Sequence, residues 1–115
     1  MATKNISGEE LEKIIEQEKD KVEIVDVREI DEFDLIKIKG SKLIPLSRAV
    51  SQPDEIDWSK KVVLVCRSGS RSAYVASMLA KDNREIYNLQ NGIYELFVND
   101  SKLLEKGPDG CEGYF

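Results

Sequence analysis

The sequence predicts an α/β fold: a parallel sheet with helices on both faces. Short β-rich runs alternate along the chain with segments of helical apolar spacing. One of those runs, Val62-Val63-Leu64-Val65, is continuously apolar, as a strand is when both of its faces are covered. The 115 residues are 41% hydrophobic, enough for the core of one domain.

The elements follow in order. Ser7-Gly8-Glu9-Glu10 reads as a capping box, and Leu11, Ile14 and Ile15 carry a helical apolar face to about Lys19. Val22 to Val27 is a strand. Glu29 to Ile36 places Phe33 and Ile36 on one face of a short helix. Leu43-Ile44 is a short strand that Pro45 ends, because proline cannot donate to a central ladder. Residues 47 to 60 form a short helix and a loop. Val62 to Val65 is the next strand, and Ser72 to Lys81 carries Ala73, Ala76, Leu79 and Ala80 at helical spacing. Ile86 to Leu89 is a strand, Asn91-Gly92 a turn, and Ile93 to Val98 a last amphipathic helix. One domain over residues 1–105 is expected, followed by a glycine-rich, mobile tail over 106–115.

Charge and composition narrow the function. The net charge of −5 argues against nucleic acid as a partner, since phosphate binding needs a basic face. No apolar run is long enough to span a bilayer, and the first residues lack the apolar core of a secretory signal. A soluble, cytoplasmic protein with no membrane partner is expected. On that expectation Asn5-Ile6-Ser7 and Asn99-Asp100-Ser101 are chance matches to the glycosylation sequon. The chain has no histidine, so a Ser-His-Asp or Cys-His pair is excluded. Two cysteines alone make no zinc site, and no metal or cofactor is expected.

The chemistry concentrates in Cys66-Arg67-Ser68-Gly69-Ser70-Arg71-Ser72. A strand ends at Cys66, a tight loop follows, and a helix begins. Gly69 permits unusual dihedrals and a close backbone approach. Ser68, Ser70 and Ser72 are small and can donate hydrogen bonds or cap the helix. Successive loop N–H groups then point inward as an anion nest, and the helix N-terminus adds its positive end. A cysteine there can be activated without a histidine base, through a lowered pKa. A buried cysteine that merely ends a strand would explain Cys66 but not the two arginines and three serines around Gly69. Four residues separate Cys66 from Arg71. Phosphatases built on a similar cup usually have five, and the tighter ring suits one extra sulfur atom better than a phosphoryl group.

The same residues resemble the rhodanese family, specifically its single-domain sulfurtransferases. Cys66 to Ala73 resembles the family's active-site loop and helix start, and Ile24-Val25-Asp26-Val27-Arg28-Glu29, followed by Glu32-Phe33, its first signature. Gly40-Ser41, Ile44-Pro45-Leu46 and Asn88 to Ile93 stand where the family has its remaining elements. The chain departs from the family at Ile36-Lys37, where Gly-His is common, at Asn91-Gly92 for Gly-Gly, and at Leu96 for a tryptophan. The resemblance implies a rhodanese-like fold with a central parallel sheet of about five short strands.

The resemblance also implies a mechanism. Cys66 attacks the outer sulfur of a donor such as thiosulfate, sulfite leaves, and a persulfide forms. The loop N–H groups hold the terminal sulfur until a thiophilic acceptor takes it: cyanide in an assay, a low-molecular-weight thiol or a protein in the cell. Arg67 is expected at the mouth, attracting the anionic donor. Arg71 is unfavourable for the helix dipole, which calls for a carboxylate or loop carbonyls as its partner and a loop-shaping role. Asp26 and Arg28 are expected as structural support through an ion pair or turn hydrogen bonds. Cys111, on the tail, is a second thiol, expected to be exposed and without consequence unless the tail carries it to Cys66. A non-catalytic interaction module and a Cys-dependent phosphatase or arsenate reductase are the competing functions.

Overall fold

The computed structural model describes residues 3–115; residues 1 and 2, at the head of the expected domain, lie outside the described residues. A five-stranded parallel sheet forms the centre. Its strands are β1 (Thr3–Ile6), β2 (Val22–Asp26), β4 (Lys42–Leu43), β5 (Lys61–Val65) and β6 (Ile86–Leu89), in the order β1-β6-β5-β2-β4. Helices α1 (Gly8–Glu18), α2 (Ile30–Leu35), α3 (Leu46–Ser51), α4 (Ser70–Leu79) and α5 (Gly92–Val98) surround it. Two short strands, β3 (Ile36–Ile38) and β7 (Leu104–Lys106), pair antiparallel in a small second sheet.

Local sequence explains the elements. Ser7 caps α1 with the full reciprocal box, its side chain accepting from Glu10 N–H while the Glu10 carboxylate accepts from Ser7 N–H. The helix expected over 29–36 is shorter, because Ile36 turns to extended backbone and enters β3. The helix expected from Ser72 starts two residues earlier, at Ser70, directly after Gly69 in the left-handed region at φ +100°.

The strand period of two separates two cores. Val62, Leu64 and Cys66 face one side of the sheet with Val75, Ala76 and Leu79 of α4, while Val63 and Val65 face the other with Leu11, Ile93 and Leu96.

The end of the chain differs from expectation. The expected domain limit at residue 105 falls within β7, and residues 106–115 lie against the body rather than apart from it. Gly107 N–H donates to Leu35 O at 2.8 Å. Cys111, expected to be exposed, is 7% exposed and packs in the second core cluster, with Tyr114 and Phe115 against the same cluster. The physical reason is apolar: three residues of this otherwise polar segment have core to bury against.

The topology places the site. From β2 the chain proceeds to β4 on one side, and from β5 to β6 on the other. The carboxyl ends of β2 and β5 therefore form a topological switch point, where ligands bind in open parallel sheets. Cys66 follows β5 there, and Asp26 ends β2.

Candidate active site

Cys66 lies at the base of a loop whose donors converge on its sulfur. Gly69 N–H donates to Sγ at 3.1 Å and Ser72 N–H at 3.4 Å, and Ser72 Oγ also lies 3.4 Å from Sγ. The Ser72 hydroxyl further meets Asn88 Oδ1 and Gly69 O. Asn88, buried on β6, donates its amide to Asn5 Oδ1 and to Gly69 O. Cys66 is 1% exposed. Burial pushes its thiol pKa up, but the hydrogen bonds from Ser72, Gly69 and Ser68 together outweigh this, so the thiol titrates below its ordinary value. The start of α4 adds its positive end. The charged form of the sulfur is thus favoured without a histidine.

The loop carbonyls are pinned from behind. Cys66 O accepts from Ile93 N–H and Arg67 O from Tyr94 N–H, both at 3.0 Å. Turning these carbonyls toward α5 leaves the loop N–H groups to face Sγ. Gly92 and Gly69 allow the approach. A Cβ on Gly92 would lie 2.4 Å from Arg67 O, and one on Gly69 1.9 Å from Gln90 O.

The expected site residues divide. Ser72 meets the sulfur directly. Ser68 and Ser70 are exposed, and no hydrogen bond joins the Ser70 side chain to Sγ. Arg71 donates both terminal nitrogens to Glu32, at 2.7 and 2.9 Å. That carboxylate answers the unfavourable helix-start charge. The Arg71 partner holds the Glu32 carboxyl down at about 2, against some burial that pushes it up. Arg71 itself is raised, by Glu32 first and by the Cys66 charge among the smaller causes.

Asp26 and Arg28 form a fully buried pair, both 0% exposed. Arg28 Nε and Nη2 grip the carboxylate at 2.9 and 2.8 Å, and the remaining N–H groups reach Ile36 O, Glu32 O and Tyr114 Oη. The pair thus ties the end of β2 to α2 and to the last residues of the chain.

Arg67 is not free at a mouth. Its Nε donates to Tyr114 O at 3.1 Å and its Nη2 to Phe115 O at 3.3 Å. Cys66 and Cys111 are both free thiols, in core clusters on opposite faces of the sheet. Sequence reasoning missed three contributors. Glu32 in α2 and Asn88 in β6 stood only within stretches that resemble family elements, with no role assigned, and Tyr114 only as half of an aromatic pair in a polar tail.

Among the described residues no group of three or more His, Cys, Asp and Glu is placed to hold a metal ion, and no helix is long and apolar enough to cross a membrane. A separate cavity of about 430 Å³ lies beyond the amino ends of β2 and β5, lined by Val22, Ile24, Lys39 and Lys102 among others, with no cysteine in its lining.

Comparisons with known proteins match this architecture. The family model described as Rhodanese-like domain matches residues 7–97. The uncharacterised Bacillus subtilis protein YqhL is 41% identical over 73 residues, 63% of this chain and 58% of that protein. YrkF of the same organism, named as a candidate sulfur carrier protein, is 31% identical over 71 residues, 61% of this chain and 38% of that protein. The chain thus spans well under two thirds of the length of these relatives. A rhodanese-like domain protein from Staphylococcus aureus superposes with a TM-score of 0.73 at 28% identity, covering 90% of this chain and 97% of that one.

Proposed function

The chain belongs to the rhodanese-like domain family, and from this premise we propose that it is a sulfurtransferase that carries a sulfane sulfur on Cys66. The observation that carries the reading is the convergence of Gly69 and Ser72 donors on a buried Sγ at the switch point of the sheet. The name of YrkF supports a sulfur-carrying role for a relative.

The Cys66 thiolate attacks the outer sulfur of thiosulfate. The new bond joins Sγ to that sulfur, the sulfur–sulfur bond of the donor breaks, and sulfite leaves with the electron pair. The persulfide keeps one negative charge, and the loop N–H groups and the α4 N-terminus stabilise it. Cyanide then attacks the terminal sulfur, thiocyanate leaves, and the Cys66 thiolate is restored. In the cell a low-molecular-weight thiol or a protein thiol takes the place of cyanide. Two half-reactions through one covalent intermediate give ping-pong kinetics. Arg71, pinned by Glu32, shapes the loop and adds positive charge near the sulfur.

The test is thiocyanate formation from thiosulfate and cyanide by wild type and Cys66→Ser, with the mass of the Cys66 peptide measured after donor alone. Turnover lost in Cys66→Ser, with one sulfur atom gained on Cys66 in wild type, supports the reading. Transfer that survives Cys66→Ser favours a non-catalytic interaction module. Hydrolysis of an aryl phosphate lost in the same variant favours a phosphatase.

A further inference from the structure

The cavity at the amino ends of β2 and β5 lies at the other end of the sheet from Cys66, and the sulfur chemistry makes no use of it. Its volume of about 430 Å³ is that of a small-molecule site, for which roughly 300–1,000 Å³ is usual. Ile15, Val22, Ile24 and Leu103 give it an apolar floor, continuous with the second core cluster. Five lysines line it as well: Lys19, Lys39, Lys42, Lys60 and Lys102. They come from the end of α1, the turn after β3, β4 itself, the residue before β5 and the turn before β7. Only the fold gathers them.

Their charge is not balanced within the lining. Glu23 is the single acidic residue there. It accepts from Asp57 N–H at 2.9 Å, and Lys42 Nζ lies 3.9 Å from it. Lys42 Nζ donates to Glu55 O at 2.7 Å. The Asp57 carboxylate, outside the lining, accepts from Ser59 N–H and Oγ. Among the described residues no ion pair includes Lys19, Lys39, Lys60 or Lys102. On a chain of net charge −5 this is a local excess of positive charge. A cleft lined by one sign of charge focuses its field and draws in counter-ions.

The two parts of the lining select together. An uncharged apolar molecule leaves the lysines without a counter-ion, and a bare inorganic anion leaves the apolar floor wet. Lysine stems lie along apolar surface while their ammonium groups stay in water. A ligand's charged head therefore belongs at the rim and its apolar body on the floor.

We propose that this cavity binds a small amphipathic anion, an apolar chain or ring carrying a carboxylate, sulfonate or phosphate head. The site is independent of Cys66 and of the sulfurtransferase reading, so the two stand or fall separately.

The test is titration of the isotope-labelled protein with octanoate, read by amide chemical shifts in two-dimensional NMR, beside butanoate, octanol and inorganic phosphate. Octanoate should shift the amides of Val22, Ile24, Lys39 and Leu103 saturably. Butanoate should bind about tenfold more weakly or worse, since each buried methylene strengthens binding by up to about fourfold. Octanol and phosphate should each bind at least about threefold more weakly than octanoate, lacking the head or the body. Lys39→Glu/Lys102→Glu reverses two exposed charges and should weaken octanoate about fivefold or more. Lys39→Gln/Lys102→Gln keeps the test if the reversal disturbs the fold, which the spectrum itself shows. No saturable shift at these amides by about 20 mM octanoate overturns the proposal, because about ten heavy atoms at ordinary ligand efficiency bind more tightly than that. Equal affinity for octanoate and any of the three other probes also overturns it, as does a native spectrum in both variants with undiminished octanoate binding. Phosphatidylglycerol vesicles that capture the wild type but not the reversed variant, without octanoate in the cavity, would assign the lysines to a membrane surface and likewise overturn it.

Discussion

Replacing Glu32 by glutamine tests how α2 holds the Cys66 loop. The Glu32 carboxyl is lowered from 4.5 to about 2, with the Arg71 hydrogen bonds as the largest cause. Taken at face value that difference corresponds to about 3 kcal/mol. Arg71 is 37% exposed, so solvent screens the pair and about 1–2 kcal/mol is the better expectation. The sign follows from linkage. A carboxyl lowered on folding stabilises the fold above its unfolded value and loses that contribution as pH falls through the folded value. Urea denaturation of wild type and Glu32→Gln should therefore differ by about 1–2 kcal/mol at pH 7. The gap should begin to close below about pH 4.5 and vanish near pH 2. The variant also frees Arg71 from the carboxylate, so Cys66 alkylation should change with it. A stability gap that is absent at pH 7, or constant from pH 7 to pH 3, would refute the reasoning.

Ser72→Ala removes the side chain with the largest lowering effect on the Cys66 thiol. Its alkylation profile should move to higher pH, and an unmoved profile counts against the donor role. Asp26→Asn leaves Arg28 buried beside a neutral partner and should destabilise by about 3–5 kcal/mol in urea, whereas a loss below about 1 kcal/mol would place the pair on an effectively solvated footing. Gly69→Ala should abolish most sulfur transfer, because its Cβ would lie 1.9 Å from Gln90 O. Gly40→Ala is the control, with φ +78° and no atom within 4 Å, so it carries only backbone strain of about 1–3 kcal/mol. Equal effects of the two substitutions on transfer would show that the close approach at Gly69 does not matter.

The strands that build the switch point were legible because they are apolar and β-branched, and Cys66 was legible because it ends the clearest of them. The need for an Arg71 partner followed from its helix-start position, but its identity did not. Glu32 lies 39 residues away, and only the fold brings α2 against the loop. Strand β1, Thr-Lys-Asn-Ile, shows no alternation, because it is an edge with three exposed residues. Strands β3 and β7 have three residues each, too few for a period to show. The end of the chain read as mobile because glycine, proline and charge dominate it. What that reading underweighted is the Tyr114-Phe115 pair, whose rings had Phe97 and Tyr94 to meet.

The activation of Cys66 depends as much on where the loop carbonyls go as on where its N–H groups point. A tight loop presents both kinds of group, and an inward carbonyl would repel a thiolate. Here the first two N–H groups after Gly92 take the carbonyls of Cys66 and Arg67. Free N–H groups at a helix start are unsatisfied in any case, so the pairing meets a need on both sides. It requires backbone against backbone, and Gly92, at φ +63° with Arg67 O 2.4 Å from where a Cβ would stand, is the residue that permits it. One helix start, that of α4, supports the sulfur directly. The other, that of α5, supports it by holding the carbonyls away. A cup of this kind needs no histidine, because the hydrogen bonds from Ser72, Gly69 and Ser68 outweigh the burial that pushes the thiol pKa up.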